Sequence, residues 1–165
     1  MSVLDKTEIT HIFDRESEEA VHIQQFKTTL ERMKEAQKIG KSIIYTLGYS
    51  NFSFDLWMVL HKADCNGSLD YRHQYFSCIN KAYGEQFSRM DEYKKEANFK
   101  RLLKKLSLSD VWTAISRAKV IMKRNFEKGY QLQRYCGYEF YTENPSLSIW
   151  IIVEKILKEC GIPTN

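Results

Sequence analysis

Ser42-Ile-Ile-Tyr-Thr-Leu-Gly48 decides the fold class of this chain. The run is short, β-branched and aromatic, and it ends at a glycine. That is the composition of a strand more than of a helix. With it, the chain reads as α+β. Without it, nearly every other segment reads as helix, and the alternative is an all-α helical bundle.

Upstream of the run, Asp14 or Ser17 is a candidate N-cap, and Glu16, Glu18 and Glu19 suit the positive end of a helix. This first helix is expected to reach Gly40. Ile23, Phe26, Leu30 and Met33 recur at 3-4-3 spacing and draw one apolar seam. The seam suits packing against the chain's own core, and it is also the candidate face for a homodimer. Downstream, Ser53 caps a compact helix running to Ala63. Cys65-Asn-Gly67 signals a turn. Helices are expected over 74–90, 91–106 and 109–128, the last after the cap at Ser107-Leu-Ser-Asp110, with Val111, Ile115, Ala118, Met122 and Phe126 along its apolar side. Asn144-Pro145 starts a final helix over 146–160, apolar nearly all round, and so expected at the centre of the core.

The expected fold is therefore a predominantly α-helical single domain over residues 1–165. It carries a small two- or three-stranded sheet drawn from 42–48, 68–72 and 130–140, and residues 1–13 are expected to be flexible. Composition agrees. The chain has 165 residues, of which 43% are hydrophobic and 13% aromatic, with seven Gly and two Pro. That supports a core and argues against disorder, collagen and disulfide scaffolds. The longest apolar stretch, Ile149 to Val153, falls far short of the ~20 residues of a membrane span. The first ten residues show no signal-peptide core. The four cysteines, at 65, 78, 136 and 160, form no Cys-x-x-Cys pair. The expectation is a cytoplasmic protein with reduced thiols, no membrane contact, no cofactor and no metal.

The net charge of +4 is unevenly spread. Residues 91–130 hold 11 basic and 5 acidic residues, whereas residues 1–40 hold 6 and 8. On the helix from Asp91 to Leu106, Phe99, Leu102, Leu103 and Leu106 share one face. Lys94, Lys100, Arg101, Lys104 and Lys105 take the other. The next helix adds Arg117, Lys119, Lys123, Arg124 and Lys128. Packed as a hairpin, the two would present one basic surface that attracts phosphates by counterion release. Tyr130, Arg134, Tyr135 and Tyr138 follow as candidate stacking platforms for unpaired bases. The expected function is a non-enzymatic binding module, or a small accessory or inhibitor protein of the mobile-element kind. It would contact nucleic acid or an acidic protein surface through these helices. A third reading is a protein–protein adaptor that uses the 23–33 seam.

Gly40-Lys41-Ser42 lacks the earlier glycine of a phosphate-binding loop, because position 35 is Glu35. His11, His22, His61 and His73 do not pair at metal-ligand spacing. Arg15 and His22, seven apart, resemble the Arg-x(4–6)-His signature of HEPN-family ribonucleases, which implies metal-independent RNA cleavage by those two residues.

A longer run, Ile44-Tyr-Thr-Leu-Gly-Tyr-Ser-Asn51, followed by Ser53, Leu60, Lys62, Ala63 and Asp70-Tyr-Arg72, resembles a small bacterial α/β family. That family is known only as a conserved domain of unknown function. The resemblance implies a strand, a helix and a second strand over 44–72. It continues more poorly through Cys136, Glu143 and Pro145, with Ser148-Ile149-Trp150 where the family has Cys-His-Arg.

Overall fold

The computed structural model describes residues 7–39, 42–65 and 74–163. The domain is α+β. Its sheet begins with β1 (Thr7–Arg15) and β2 (Ile43–Asn51), joined by α1 (Ala20–Ala36). The two strands pair in parallel over nine residues, from Thr7 opposite Ile43 to Arg15 opposite Asn51.

The strand reading of residues 42–48 therefore holds, with one extension. β2 does not stop at Gly48 but runs on to Asn51. Gly48 sits opposite Ile12 of β1, and a Cβ there would come within 2.8 Å of the Ile12 side chain. Glycine marks a close approach between strands here, not a strand end.

The start of the chain corrects a larger expectation. Residues 7–13 belong to β1, and Asp14 and Arg15 close that strand instead of opening a helix. Periodicity alone could not decide this, because β1 is half exposed and draws its pairing from β2, about 36 residues away. Helix α1 starts only at Ala20, with Glu19 as an extended N-cap that makes no side-chain cap bond.

β2 is flanked on its other side by β5 (Ser146–Leu147), which pairs antiparallel through Ser50–Leu147 and Asn51–Ser146. The sheet order is β1-β2-β5. The expected third strand at 130–140 forms instead a separate hairpin, β3 (Gln133–Tyr135) and β4 (Tyr138–Phe140). The expected strand at 68–72 lies outside the described residues.

Two cores hold these elements. In the smaller, Phe26, Leu30 and Met33 of α1 pack with Tyr49 of β2 and with Tyr138 and Phe140 of β4. The seam read from the sequence is thus enclosed within the protomer, with Phe26, Leu30 and Met33 at 4% exposure or less. Ile23, the fourth seam residue, is half-buried.

The larger core joins α2 (Asp55–Leu60), α3 (Tyr75–Tyr83), α6 (Leu108–Glu127) and α7 (Ile149–Glu159). Leu56, Leu60, Tyr75, Ile79 and Leu147 are fully buried there. The expected helix over 91–106 is two pieces, α4 (Met90–Tyr93) and α5 (Glu96–Leu103). The chain turns extended at Lys95, and Asn98 Nδ2 caps the carbonyl of Glu92 at 2.7 Å. The start of α6 matches its reading: Ser107 and Asp110 form a reciprocal capping box.

Helix α7 is not the central helix its apolar sequence suggested. Ile149 and Leu157 are buried, but Ile151 and Ile156 are 53% and 50% exposed. It lies on the surface and packs one stripe against α6 and β2. Phe126 departs in the same way. It continues the apolar side of α6 in sequence yet is 76% exposed, whereas its neighbour Asn125 is buried.

Candidate nucleic-acid interface

The cations of residues 91–134 fall into two groups. On α5 and its flanks they are largely neutralised. Lys100 pairs with Glu96 at 2.5 Å. Arg101 and Lys105 both clamp Glu85, at 2.7 and 2.6 Å, and Lys105 also donates to the Tyr83 carbonyl. Lys94 and Lys104 are exposed at the C-terminal ends of α4 and α5. Helix α5 packs on α4, whereas α6 packs chiefly on α2 and α7. The two basic helices are therefore not a hairpin with a shared outer face.

The double clamp holds the Glu85 carboxyl at about 2, well below its ordinary range, through hydrogen bonds from Arg101 and then Lys105. A depressed carboxyl contributes stability that is present above its unfolded value of about 4.5 and is lost as the pH falls toward 2. The urea midpoint of Glu85→Gln should lie below wild type at pH 6. The gap should shrink between pH 4.5 and 2. A gap that does not vary with pH would remove the clamp from the account.

On α6 the arrangement differs. At 100° per residue, Arg117, Val120, Ile121, Arg124 and Lys128 occupy one face. They line two adjoining cavities that share Cys65, Ile121 and Arg124. The larger, about 300 Å³, runs between α6 and the end of α2, with Leu60, Asp64 and Ser116 completing it. The smaller, about 30 Å³, continues past Asn125 and Lys128 to Pro145. Among the described residues, Asp64 is the one carboxylate that lines the pair.

Arg117 is fixed at one end by Asp64 at 3.0 Å and by the Leu60 carbonyl at 2.8 Å. Arg124 and Lys128 are exposed. From Arg117 to Lys128 the groove follows eleven residues, about 16 Å of helix at 1.5 Å each. Its floor is set by the larger core, since Ile121 is buried and Asn125 Nδ2 donates to the Pro145 carbonyl.

The remaining basic residues lie elsewhere. Lys119 reaches Glu154 at 2.8 Å and sits over the Trp150 ring. Lys123 faces Glu127 at 3.7 Å. Arg134 pairs with Glu139 across the hairpin. Tyr135 donates to Glu31 and lies under Lys27, and Tyr138 is buried and receives Gln37 Nε2 on its hydroxyl. Of the four residues taken as stacking platforms, Tyr130 stays at the surface as an aromatic, with Lys128 over its ring.

Arg15 and His22 do not share a helix face. Arg15 ends β1, is 2% exposed, and donates to Glu18 at 2.7 Å and to the Thr142 carbonyl at 2.9 Å. His22 lies on α1 and meets Ser17 through Nδ1 at 2.7 Å and Glu16 at 3.4 Å. They line different cavities.

A buried polar joint escaped the sequence reading. At the ends of β1 and β2, Asn51 Nδ2 donates to the carbonyls of Tyr141 and Glu143, at 2.9 and 2.7 Å. The Tyr75 hydroxyl meets the Asn51 carbonyl and Asn144 Oδ1, at 2.8 and 2.7 Å. Tyr49 joins it through Ser146 and the Tyr141 amide, and burial pushes its hydroxyl up to about 12. Each residue is ordinary in sequence, and only the meeting of segments 24 to 97 residues apart makes the joint. Among the described residues, no group of three or more His, Cys, Asp or Glu is placed to hold a metal ion. No helix among them is long and apolar enough to cross a membrane.

Residues 3–156 match the model of a family described as RloB-like protein. The match reaches well beyond the partial resemblance at residues 44–72 and takes in β1, α1, the polar joint and α6. No curated protein and no solved structure matches the chain.

Proposed function

The chain belongs to the RloB-like family, and we propose that this protein binds nucleic acid along the groove between α6 and the end of α2. The observation that carries the reading is the placement of Arg117, Arg124 and Lys128 along one continuous groove, with Asp64 the one carboxylate among its described lining residues. A chain of phosphates suits that geometry. Cations spaced along about 16 Å meet successive phosphates, and each contact releases a condensed counterion. The pinned Arg117 supplies one preorganised guanidinium. Arg124 and Lys128 supply charge, and Tyr130 beside Lys128 offers a face for an unpaired base. The cations of α5 do not line this groove, and Lys100, Arg101 and Lys105 are held by Glu96 and Glu85. No catalytic step is part of this reading.

The test compares wild type, Arg124→Ala/Lys128→Ala, and Lys100→Ala/Lys104→Ala for binding to labelled 20-nucleotide DNA and RNA across a salt series. The groove variant is expected to lose at least tenfold in affinity at low salt. Its log–log salt slope should flatten by about 1.4, since each phosphate contact on a single strand contributes roughly 0.7. The α5 variant should stay within about threefold. Unchanged affinity and slope in the groove variant overturn the reading. Salt-sensitive binding to an acidic protein, without nucleic-acid binding, would replace it.

A further inference from the structure

Resting on the groove reading of α6, we propose that the larger cavity takes an unpaired base of a single strand and selects guanine, with the Asp64 carboxylate accepting from the base's Watson–Crick edge. Phosphate contacts alone give Asp64 no use. It lines a basic groove, where its charge repels a phosphate and offsets that of Arg117 at 3.0 Å. A base edge changes the balance, because it carries neutral N–H donors from which Asp and Glu accept.

The ion pair leaves most of the carboxylate in hand. Arg117 donates through Nε to Asp64 Oδ1. Among the described residues, Oδ2 accepts no hydrogen bond. Each carboxylate oxygen carries two acceptor positions, so Oδ1 also keeps one. The Asp64 side chain is 65% exposed, open to a ligand. Arg117 is itself held by the Leu60 carbonyl at 2.8 Å, so the pair orients Asp64 without using it up. The walls suit a flat ring. Leu60, Cys65 and Ile121 are buried, and Val120 is 46% exposed. Apolar side chains against the face and polar groups at the edge are how an extruded base is held. At about 300 Å³ the cavity lies at the small end of ligand sites.

Donor pattern selects the base. Guanine sets its ring N–H and its amino group side by side, two donors that match the two oxygens of a carboxylate. Adenine and cytosine set an amino group beside an acceptor nitrogen, which a carboxylate repels. Uracil sets one N–H between two carbonyls. In a duplex the same edge is already paired, and freeing it costs the unpairing and unstacking of the base. A single strand presents it at no such cost.

The probes are a labelled uridine nonamer and the same strand with guanosine, adenosine or inosine at its centre, with binding followed by anisotropy at low salt. The guanosine strand is expected to bind about tenfold or more tightly than the uridine and adenosine strands. Inosine keeps the ring N–H and lacks the amino group, so its strand should fall between. Asp64→Asn keeps the volume and exchanges an acceptor oxygen for a donor. It should bring the guanosine and adenosine strands within about twofold of each other. Its affinity for the uridine strand should not fall, since a charge that repels phosphate has gone; a merely structural role would lower both. Annealing each probe to its complement should erase the preference. Equal, salt-sensitive binding of all four strands by wild type overturns the proposal and leaves the groove reading standing. A guanosine preference that survives in Asp64→Asn or in the duplexes also overturns it. Absence of binding to every strand overturns both.

Discussion

Replacing Asn51 with Ala is expected to lower the unfolding free energy by about 4 kcal/mol, read as a fall in the urea midpoint with little change in slope. Asn51 is fully buried at the last position of β2, where three separate segments meet. Its amide nitrogen is the donor for the carbonyls of Tyr141 and Glu143. Alanine would leave both acceptors buried, and each stranded group costs roughly 1–3 kcal/mol. The loop that holds them leads directly into β5, so the β2–β5 pairing would weaken with it. Asn51→Asp is the informative companion. It preserves volume but removes the donor and directs a carboxylate at two carbonyls, so it should cost at least as much as alanine. A loss below about 1 kcal/mol for Asn51→Ala would mean that water enters the joint and replaces the amide.

The second large effect is expected at Phe26. Phe26→Ala should cost about 3–5 kcal/mol, the usual range for removing a buried phenyl ring and leaving a cavity. Phe26 is 4% exposed and packs against Phe13 of β1 at 5.1 Å and edge-on against Phe140 of β4 at 4.9 Å, ring centre to ring centre. It therefore fastens α1 to both the sheet and the hairpin. The smaller core has few buried members, so little remains to close the cavity. Limited proteolysis should find the β3–β4 hairpin cut sooner in the variant than in wild type. Ile23→Ala, at a half-buried position of the same seam, should cost about 1 kcal/mol or less. Equal losses at the two positions would refute the account of the seam.

These two residues differ in how readable they were. Phe26 announces itself, because a 3-4-3 apolar rhythm marks a helix face whatever the helix packs against. Asn51 does not, since it ends a strand-like run and precedes another aromatic. Arg15 lies between these cases. Its neighbours Asp14, Glu16, Glu18 and Glu19 form a convincing helix start, and the strand appears only once residues 43–51 lie alongside. The basic excess of residues 91–130 was plain in sequence, but its division was not. Glu85, remote from the helix it neutralises, removes Arg101 and Lys105 from the accessible charge. The end of α2 converts Arg117, Arg124 and Lys128 into one groove.

By itself, the sequence determined what short-range periodicity and composition control. It set an α+β domain, the strand at the centre of the sheet, the buried face of α1, the cap of α6 and the segment that carries the positive charge. The tertiary structure decided the rest. It set which strand pairs with which, that β1 is a strand, that α7 lies at the surface, which cations line a groove, and where Asn51 finds its partners. The physical reason is the range of the interactions. Helix faces and caps are settled within a few residues. Strand pairing, buried hydrogen bonds and ion pairs join residues dozens of positions apart, and a half-exposed strand or an exposed lysine gains its role only from what folds against it.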